Sequence, residues 1–310
     1  MSKQRGLKGG GFRAGLARSD NVRRVIGRAR ILPSFLIIGA QRAGTTTLFD
    51  QLLLHPDVYG PAGGRGEVTW ADKEIHFFDE RFLLGPTWYR SFFPSTVQRR
   101  LARERGGDAV AGEATPYYMF HPLVPERVAA TIPDVRLIAV LRDPVERAYS
   151  HYQMMSRTGR EKLGFEEALA AEPERLAGVE EALMSETEQV LPSGHRAHHQ
   201  HRHRAYFSRG LYADQLERWL EHFDPEQLLV VGTEDLLARP QDTYAEVLGF
   251  LSLPEWQLDD FPEHNKKPYS AIEPDVRTRL EERYAEPNER LEHLLGRQFG
   301  WAERARSAST

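Results

Sequence analysis

A strand, a glycine turn and a helix start follow one another between residues 35 and 54. This succession constrains the fold more than any other stretch. The apolar run 35–38 predicts a buried strand, Gly39 and Gly44 bound a turn, and Thr45 begins a helical pattern. Backbone N–H groups at a helix start have no partner within the helix, and the helix dipole makes that end positive. The stretch therefore predicts a binding site for a phosphate or a similar anion.

The side chains of the turn add to this site. Arg42 brings a fixed positive charge, and Thr45, Thr46 and Thr47 bring hydroxyl donors. The loop that binds nucleoside triphosphates has a lysine after its second glycine, and Thr45 stands there instead. Because the positive charge is Arg42, inside the turn, and not a lysine after Gly44, we expect an anionic donor other than ATP or GTP. The alternative is a helix that Thr45 caps and that binds no ligand.

Composition limits the classes of protein that fit. The chain has 310 residues, of which 40% are hydrophobic, and this suits a sizeable core. A net charge of −4 gives no general case for nucleic-acid binding. The sequence has no cysteine, which excludes disulfides, thiol catalysis and zinc–thiolate sites. No apolar run approaches the roughly 20 residues of a membrane span.

The N-terminal stretch differs from the rest of the chain. Its first 30 residues hold nine Lys or Arg and one acid, Asp20. We expect residues 1–32 to form a basic disordered tail, residues 33–302 a single domain, and residues 303–310 a polar tail. No apolar signal-peptide core precedes Leu32, so we expect a cytoplasmic protein. A contact between the basic tail and an anionic membrane or polymer stays open at this point.

Strands alternate with helices along the remaining chain. The runs 109–113, 135–141 and 227–231 predict further strands, and helical patterns such as 145–155 and 210–223 lie among them. Such alternation is typical of a parallel sheet that helices cover on both faces. We therefore predict an α/β class, a three-layer P-loop-like fold with a central parallel sheet flanked by helices.

A second strand-to-helix junction follows the run 135–141. Arg142 stands at the carboxyl end of this strand, where ligands bind in open parallel sheets. Ser150 lies in the helix that follows, and an arginine with a serine suits a second phosphate. The alternative is an ion pair of Arg142 with Asp143 or Glu146, with Ser150 facing solvent.

An acid–base pair is suggested by residues 73–79, which alternate as in a short extended segment. Glu74 and His76 are two apart and would face the same side. A carboxylate beside an imidazole near a phosphate site predicts proton transfer. The alternative is a surface glutamate and a histidine at the edge of the core.

Five histidines stand among arginines in residues 195–204. A metal site is one interpretation, but the arginines would repel a cation and the run has no carboxylate. A basic loop over an anionic substrate and a solvated insertion are the other two. We expect no metal requirement.

Several of these motifs occur together in one known family. The stretches that match are 35–47, 54–58, 74–79, 142–150 and 286–301. On these residues the chain resembles the sulfotransferases that use 3′-phosphoadenosine 5′-phosphosulfate (PAPS). It is most similar to the heparan-sulfate glucosaminyl N- and 3-O-sulfotransferase branch and its bacterial relatives.

The resemblance implies an activity and a set of roles. The family moves a sulfuryl group from PAPS to a hydroxyl or amine of a glycan or small molecule, and it leaves adenosine 3′,5′-bisphosphate without needing a metal. Glu74 would be the general base, with His76 beside it and Arg42 at the transferring group. The donor would contact Gln41, Arg42, Ala43, Gly44, Thr45, Thr46, Thr47, Arg142, Ser150, Arg209, Gly210, Lys266 and Lys267.

The chain departs from the family pattern at specific positions. Arg42 stands where the family usually has a lysine, and Ala114 stands where the heparan enzymes have one after Glu113. The disulfide found near the C-terminus of the animal enzymes cannot form here. These departures bear on acceptor specificity more than on the donor. A P-loop-type kinase and a non-catalytic nucleotide-binding relative remain the alternatives.

Overall fold

A parallel sheet forms the centre of the protein. The computed structural model describes residues 20–61, 73–185, 197–261 and 271–301. Five parallel strands lie within these ranges in the order β2-β3-β1-β4-β5. They are β1 Phe35–Gly39, β2 Val58–Tyr59, β3 Val110–Ala114, β4 Arg136–Leu141 and β5 Leu228–Gly232. This arrangement confirms the predicted α/β class.

Helices flank the sheet. In chain order they are α1 Asp20–Gly27, α2 Thr45–Leu52, α3 Phe77–Glu80, α4 Pro86–Arg90, α5 Thr96–Glu104, α6 Val124–Thr131, α7 Pro144–Arg157, α8 Phe165–Leu176, α9 Val179–Met184, α10 Ala197–Arg204, α11 Tyr212–Leu220, α12 Thr233–Ala238, α13 Pro240–Phe250 and α14 Pro274–Leu295. None of the helices in the described part of the chain has the length and apolarity to cross a membrane.

The position of β1 decides where the two predicted junctions meet. Phe35 pairs with Gly112 on one side and with Arg136 on the other. A Cβ at Gly112 would lie 2.3 Å from the Phe35 ring, so only glycine leaves room for that ring. Because β1 and β4 are parallel neighbours, their carboxyl ends lie at the same edge of the sheet. The glycine turn after β1 and the junction after β4 are therefore adjacent.

Two local predictions from the sequence were wrong. The extended segment proposed for residues 73–79 is irregular, and its last part is the helix Phe77–Glu80. The histidine-rich run is neither a loop nor a solvated insertion in its described part. It forms α10, in which Gln200 and His201 are buried. Tertiary packing against aromatic side chains overrides the polar composition of this helix.

The prediction that residues 1–32 form a disordered tail was also wrong for residues 20–32. Arg23 is buried in α1 and donates to the Ser91 hydroxyl at 3.2 Å. Trp88 Nε1 in α4 donates to the Asp20 carboxylate at 2.9 Å, and Ile31 belongs to the main core. The domain thus includes α1, while residues 1–19 and 302–310 lie outside the described residues.

Substitution of Gly27 tests whether α1 is part of the domain. A Cβ at Gly27 would lie 1.8 Å from the Thr87 carbonyl oxygen. Because this oxygen belongs to the backbone, a side-chain rotation cannot relieve the clash. Overpacking of this kind costs about 1–3 kcal/mol. We expect Gly27→Ala to lower the free energy of unfolding in urea by that amount. Gly249→Ala, whose Cβ meets nothing within 4 Å, is the matched control and should not destabilise. Equal stabilities would mean that α1 is a detached tail.

Candidate active site

The glycine turn has a conformation that its surroundings impose. Gly44 (φ 100°) precedes α2, and Arg42 (φ 74°) is also in the left-handed region, which side chains other than glycine seldom adopt. The Thr233 hydroxyl donates to the Ala43 carbonyl at 2.6 Å and to the Leu141 carbonyl at 2.9 Å. One side chain therefore ties the turn to the end of β4.

Thr45, Thr46 and Thr47 form the first turn of α2, where the helix dipole is positive. The residue before the helix is Gly44, which makes no side-chain cap, so the idea that Thr45 caps the helix was wrong. Thr45 instead offers its hydroxyl to a neighbouring lysine. N–H groups at the start of a helix have no partner within it, so this end of α2 can bind an anion.

Lys73 supplies the cation that the turn lacks at its second glycine. Its Nζ donates to Thr46 Oγ1 at 2.8 Å and lies 3.5 Å from Thr45 Oγ1. Burial lowers the pKa of Lys73, and the Glu74 and Asp50 carboxylates partly offset this effect. Lys73 is not among the site residues predicted from the sequence. A signal was present, because a lysine directly precedes the proposed general base.

The second junction meets the turn as predicted. Arg142 Nη1 donates to the Arg42 carbonyl at 3.4 Å. The Ser150 side chain is buried, and its hydroxyl accepts from Arg42 Nε at 3.0 Å. The alternative was correct in one respect, since Arg142 also pairs with Glu146 at 3.3 Å. It was wrong in the other, since Ser150 does not face solvent.

Buried donors without acceptors surround this junction. Arg147 and His151, on the same helix as Ser150, are fully buried and were both missed from the sequence. Arg147 Nε and Nη1, both ring nitrogens of His151, and Arg209 Nη2 have no hydrogen-bond partner among the described residues. Burial lowers the pKa of His151, and the nearby Arg209 and Arg147 lower it further. The unpaired N–H groups of Arg147 and Arg209, with the single N–H of a neutral His151, suit an anionic ligand.

Arg209 joins the turn to the histidine-rich helix. Its Nη1 donates to Gln41 Oε1 at 2.6 Å and to the Arg202 carbonyl at 3.0 Å. Burial and then the Arg147 charge lower the pKa of Arg209 to about 9, while Glu74 opposes this shift. The prediction placed Arg209 over the donor, and the structure brings it to the turn. Its role there stays a prediction.

Three other predicted donor residues are not placed at the turn by the described contacts. Gly210 packs on Tyr284, whose Oη would lie 2.5 Å from a Cβ at position 210. Its amide donates to the Phe207 carbonyl at 2.8 Å. Lys266 and Lys267 lie outside the described residues. A direct contact between these three residues and a donor stays a prediction.

Glu74, His76 and Asp79 form a connected row. His76 Nε2 lies 3.1 Å from Glu74 Oε2, and His76 Nδ1 lies 2.7 Å from Asp79 Oδ2. The left-handed backbone of His76 (φ 53°), rather than strand alternation, brings these groups together. Burial lowers the pKa of His76, but the charge of Asp79 and hydrogen bonds to Asp79 and Glu74 outweigh it and raise the pKa to about 9. The Glu74 side chain keeps 24% of its exposure, so a solvent-borne group can reach it.

A buried carboxylate holds the segment that carries Glu74. Glu113 at the end of β3 is fully buried. Its oxygens accept from Ile75 N (3.1 Å), Tyr89 Oη (2.5 Å), Thr115 Oγ1 (2.7 Å) and Tyr118 Oη (3.1 Å). Tyr118 Oη in turn accepts from Phe77 N at 2.9 Å. Two amides that flank His76 are thus fixed to the sheet, and this fixes the direction of Glu74.

The histidine-rich helix α10 packs beside this row. His201 Nδ1 lies 2.8 Å from Tyr117 Oη, and its ring stacks on Phe120 at 4.0 Å. Burial lowers the pKa of His201 well below its usual value, so the imidazole is neutral. The idea of a protonatable loop over the substrate was therefore wrong for this residue. Its neutral ring serves packing.

One group of side chains could hold a metal ion, but an arginine already contacts two of its members. His76, Asp79 and Glu80 place ligand atoms within 4.8 Å of one another. The Arg202 guanidinium contacts the His76 imidazole and the Glu80 carboxylate. A cation already lies against two of the three side chains. That no metal is required stays a prediction.

The geometry supports one kind of chemistry. The partly exposed carboxylate of Glu74 directly follows the buried Lys73 in the chain. The Lys73 ammonium contacts Thr46 at the start of α2, and arginine side chains lie nearby. Such an arrangement can remove a proton from one molecule while it holds the negative charge of another.

Known proteins share this framework. The family profile described as "Sulfotransferase domain" matches residues 32–267. A crystal structure of a sulfotransferase from Alicyclobacillus acidocaldarius is 30% identical, with a TM-score of 0.61, and the match covers 87% of this chain and 99% of that one.

Two curated relatives extend the comparison. Human heparan sulfate glucosamine 3-O-sulfotransferase 3B1 is 30% identical over 295 residues, which is 87% of this chain and 65% of the relative. The bifunctional heparan sulfate N-deacetylase/N-sulfotransferase 1 of Caenorhabditis briggsae is 29% identical over 229 residues, which is 74% of this chain and 23% of the relative. The chain thus spans less than two thirds of the length of these relatives. With the glycine turn and the junction after β4 both inside the matched region, the chain belongs to the sulfotransferase domain family.

Proposed function

We propose that this protein is a PAPS-dependent sulfotransferase that moves a sulfuryl group to a hydroxyl or amine of a carbohydrate. One observation carries the proposal. The Glu74 carboxylate follows directly on Lys73, whose ammonium contacts the anion-binding helix start at Thr46. Proton removal and charge stabilisation are therefore available side by side. The acceptor class rests on the relatives, whose names specify heparan sulfate glucosamine.

The residues present suit a donor with two phosphorylated ends. The turn with Lys73 offers one anion site, and Arg142 with Ser150 offers a second beside it. The buried donors of Arg147 and Arg209 that have no partner among the described residues support a further contact with an anion there. PAPS carries a 5′-phosphosulfate and a 3′-phosphate, and it supplies a sulfuryl group joined to a good leaving group.

Each side chain then has a task that its position allows. Glu74 removes a proton from the acceptor hydroxyl or amine. His76, held by Asp79, orients the Glu74 carboxylate. Lys73, Arg42 and the amides at the start of α2 stabilise negative charge above the turn, by the electrostatic logic that also serves phosphoryl transfer.

Substitution of Glu74 tests the general base. Glu74→Gln keeps the shape and removes the proton acceptor, so we expect turnover to fall by roughly 10²–10⁴-fold. Labelled-sulfate transfer to glucosamine oligosaccharides measures it, and calorimetry with adenosine 3′,5′-bisphosphate checks that the pocket is intact. Glu221→Gln, at an exposed site, is the control. Turnover near the wild-type value would remove Glu74 from this role.

Substitution of Lys73 tests whether its ammonium group stabilises negative charge at the start of α2. Lys73→Met keeps the length of the side chain and removes the charge beside Thr46. We expect turnover to fall by about 10²–10³-fold, the scale for loss of one group that stabilises developing charge. Affinity for the product nucleotide should fall less than turnover. Exposed Lys162→Met should change neither, and a Lys73→Met enzyme as fast as wild type would contradict the assignment.

Substitution of Arg142 tests the second phosphate site. Arg142→Ala removes a charge-assisted contact worth about 1.5–3 kcal/mol, so the Kd of adenosine 3′,5′-bisphosphate should rise roughly 10–100-fold. Adenosine 5′-monophosphate lacks the 3′-phosphate, and its weaker binding should not change. The exposed Arg279→Ala is the control variant. Equal losses for both nucleotides would show that Arg142 does not recognise the 3′-phosphate.

A further inference from the structure

One ring nitrogen of His76 has two neighbours that require opposite proton states. Nε2 lies 3.1 Å from Glu74 Oε2 and 2.7 Å from Arg202 Nη2. A hydrogen bond to the carboxylate needs a proton on Nε2. A hydrogen bond from the guanidinium needs a lone pair there, because a guanidinium is always a donor. The two contacts therefore belong to two different states of the site.

The remaining groups around His76 define these two states. Asp79 lies against Nδ1 and favours a proton there in both states. Arg202 and His198 approach from α10, and both share electrostatic interactions with His76. Arg202 lowers the pKa of His76 whereas Asp79 and Glu74 raise it, so Arg202 and Glu74 compete for Nε2. While Arg202 donates to Nε2, that nitrogen carries no proton and Glu74 lacks its hydrogen bond. With Arg202 displaced, Asp79 and Glu74 together favour an imidazolium that orients Glu74.

Arg202 is placed where an incoming molecule can reach it. Its side chain is 23% exposed, and its second partner is the Glu80 carboxylate. Its own carbonyl accepts from Arg209, which also contacts Gln41 in the turn. The backbone of α10 is thus joined to the glycine turn through Arg209, while the Arg202 guanidinium points to His76 and Glu80.

We propose that Arg202 is a latch that an anionic group of the acceptor releases. In the free protein the guanidinium rests between His76 and Glu80. A carboxylate or sulfate on the acceptor draws the guanidinium away, and His76 then pairs with Glu74. Arg202 is a positioning and specificity residue in this scheme, because it acts on Glu74 through His76. The acceptor half of the proposal rests on the proposed function.

The first test does not require activity. The pKa of His76 is measured by ¹⁵N NMR of the imidazole in the wild-type protein and in Arg202→Ala. Removal of a positive charge in contact with the ring should raise this pKa by about one or more. Arg204→Ala removes an arginine of the same helix that bonds to Glu161 instead, and it should leave the pKa of His76 unchanged. Equal pKa values in Arg202→Ala and wild type would overturn the latch.

The second test addresses the acceptor. Calorimetry compares a sulfated, uronate-containing glucosamine oligosaccharide with a neutral N-acetylglucosamine oligosaccharide of the same length. We expect Arg202→Ala to weaken binding of the anionic one about tenfold or more, as for one lost charge-assisted contact, and to leave the neutral one unchanged. Equal losses for both would make Arg202 a merely structural residue and overturn this half.

The two arms separate the latch from the activity. If wild type binds neither oligosaccharide while the pKa of His76 shifts in Arg202→Ala, the carbohydrate acceptor is wrong and the latch stands. If the anionic oligosaccharide binds and the pKa does not move, the acceptor class stands and the latch falls. Arg202→Lys keeps the charge, so the pKa of His76 should rise less in this variant than in Arg202→Ala, which a general loss of structure would not explain.

Discussion

The parallel pairing of β1 with β4 is the constraint on which the rest of the site depends. The ladder continues into the turn, where Ala40 N donates to the Val140 carbonyl at 2.7 Å. This contact fixes the turn against the end of β4, and Thr233 fixes it a second time. An anion at the start of α2 is then adjacent to Arg142 by construction. Neither junction alone would hold a ligand with two phosphates.

The second theme is buried positive charge. Lys73, Arg147 and Arg209 are all buried, and Arg147 and Arg209 keep donors that find no acceptor among the described residues. Burying cations in this way disfavours folding, because each loses hydration. For the proposed donor this cost has a consequence: the groups that would contact its negative charge are already placed and already buried.

The segment that carries Glu74 is positioned by a second, buried carboxylate. Glu113 is enclosed, and it binds the amide of Ile75 directly and that of Phe77 through Tyr118. Burial raises the pKa of Glu113, and its hydrogen bonds oppose that shift. The irregular segment that carries Glu74 is therefore anchored to β3. A strand thus holds an irregular segment beside the glycine turn, an arrangement that suits the proposed role of Glu74.

The sequence by itself determined the class of fold, the glycine turn, and the presence of Arg142 and Ser150 at the second strand-to-helix junction. These follow from local patterns: apolar runs, glycines and the residues that directly follow a strand. Only the tertiary structure decided that Lys73 reaches Thr46. It also decided that Arg147 and His151 are buried with nitrogens that have no partner among the described residues, and that Arg202 and Glu74 contact the same nitrogen of His76. Each of these contacts joins segments far apart in the chain or depends on burial, and no local pattern encodes which side chain will meet which after packing. The fold therefore follows from periodicity, whereas the charges that act in the site follow from three-dimensional proximity.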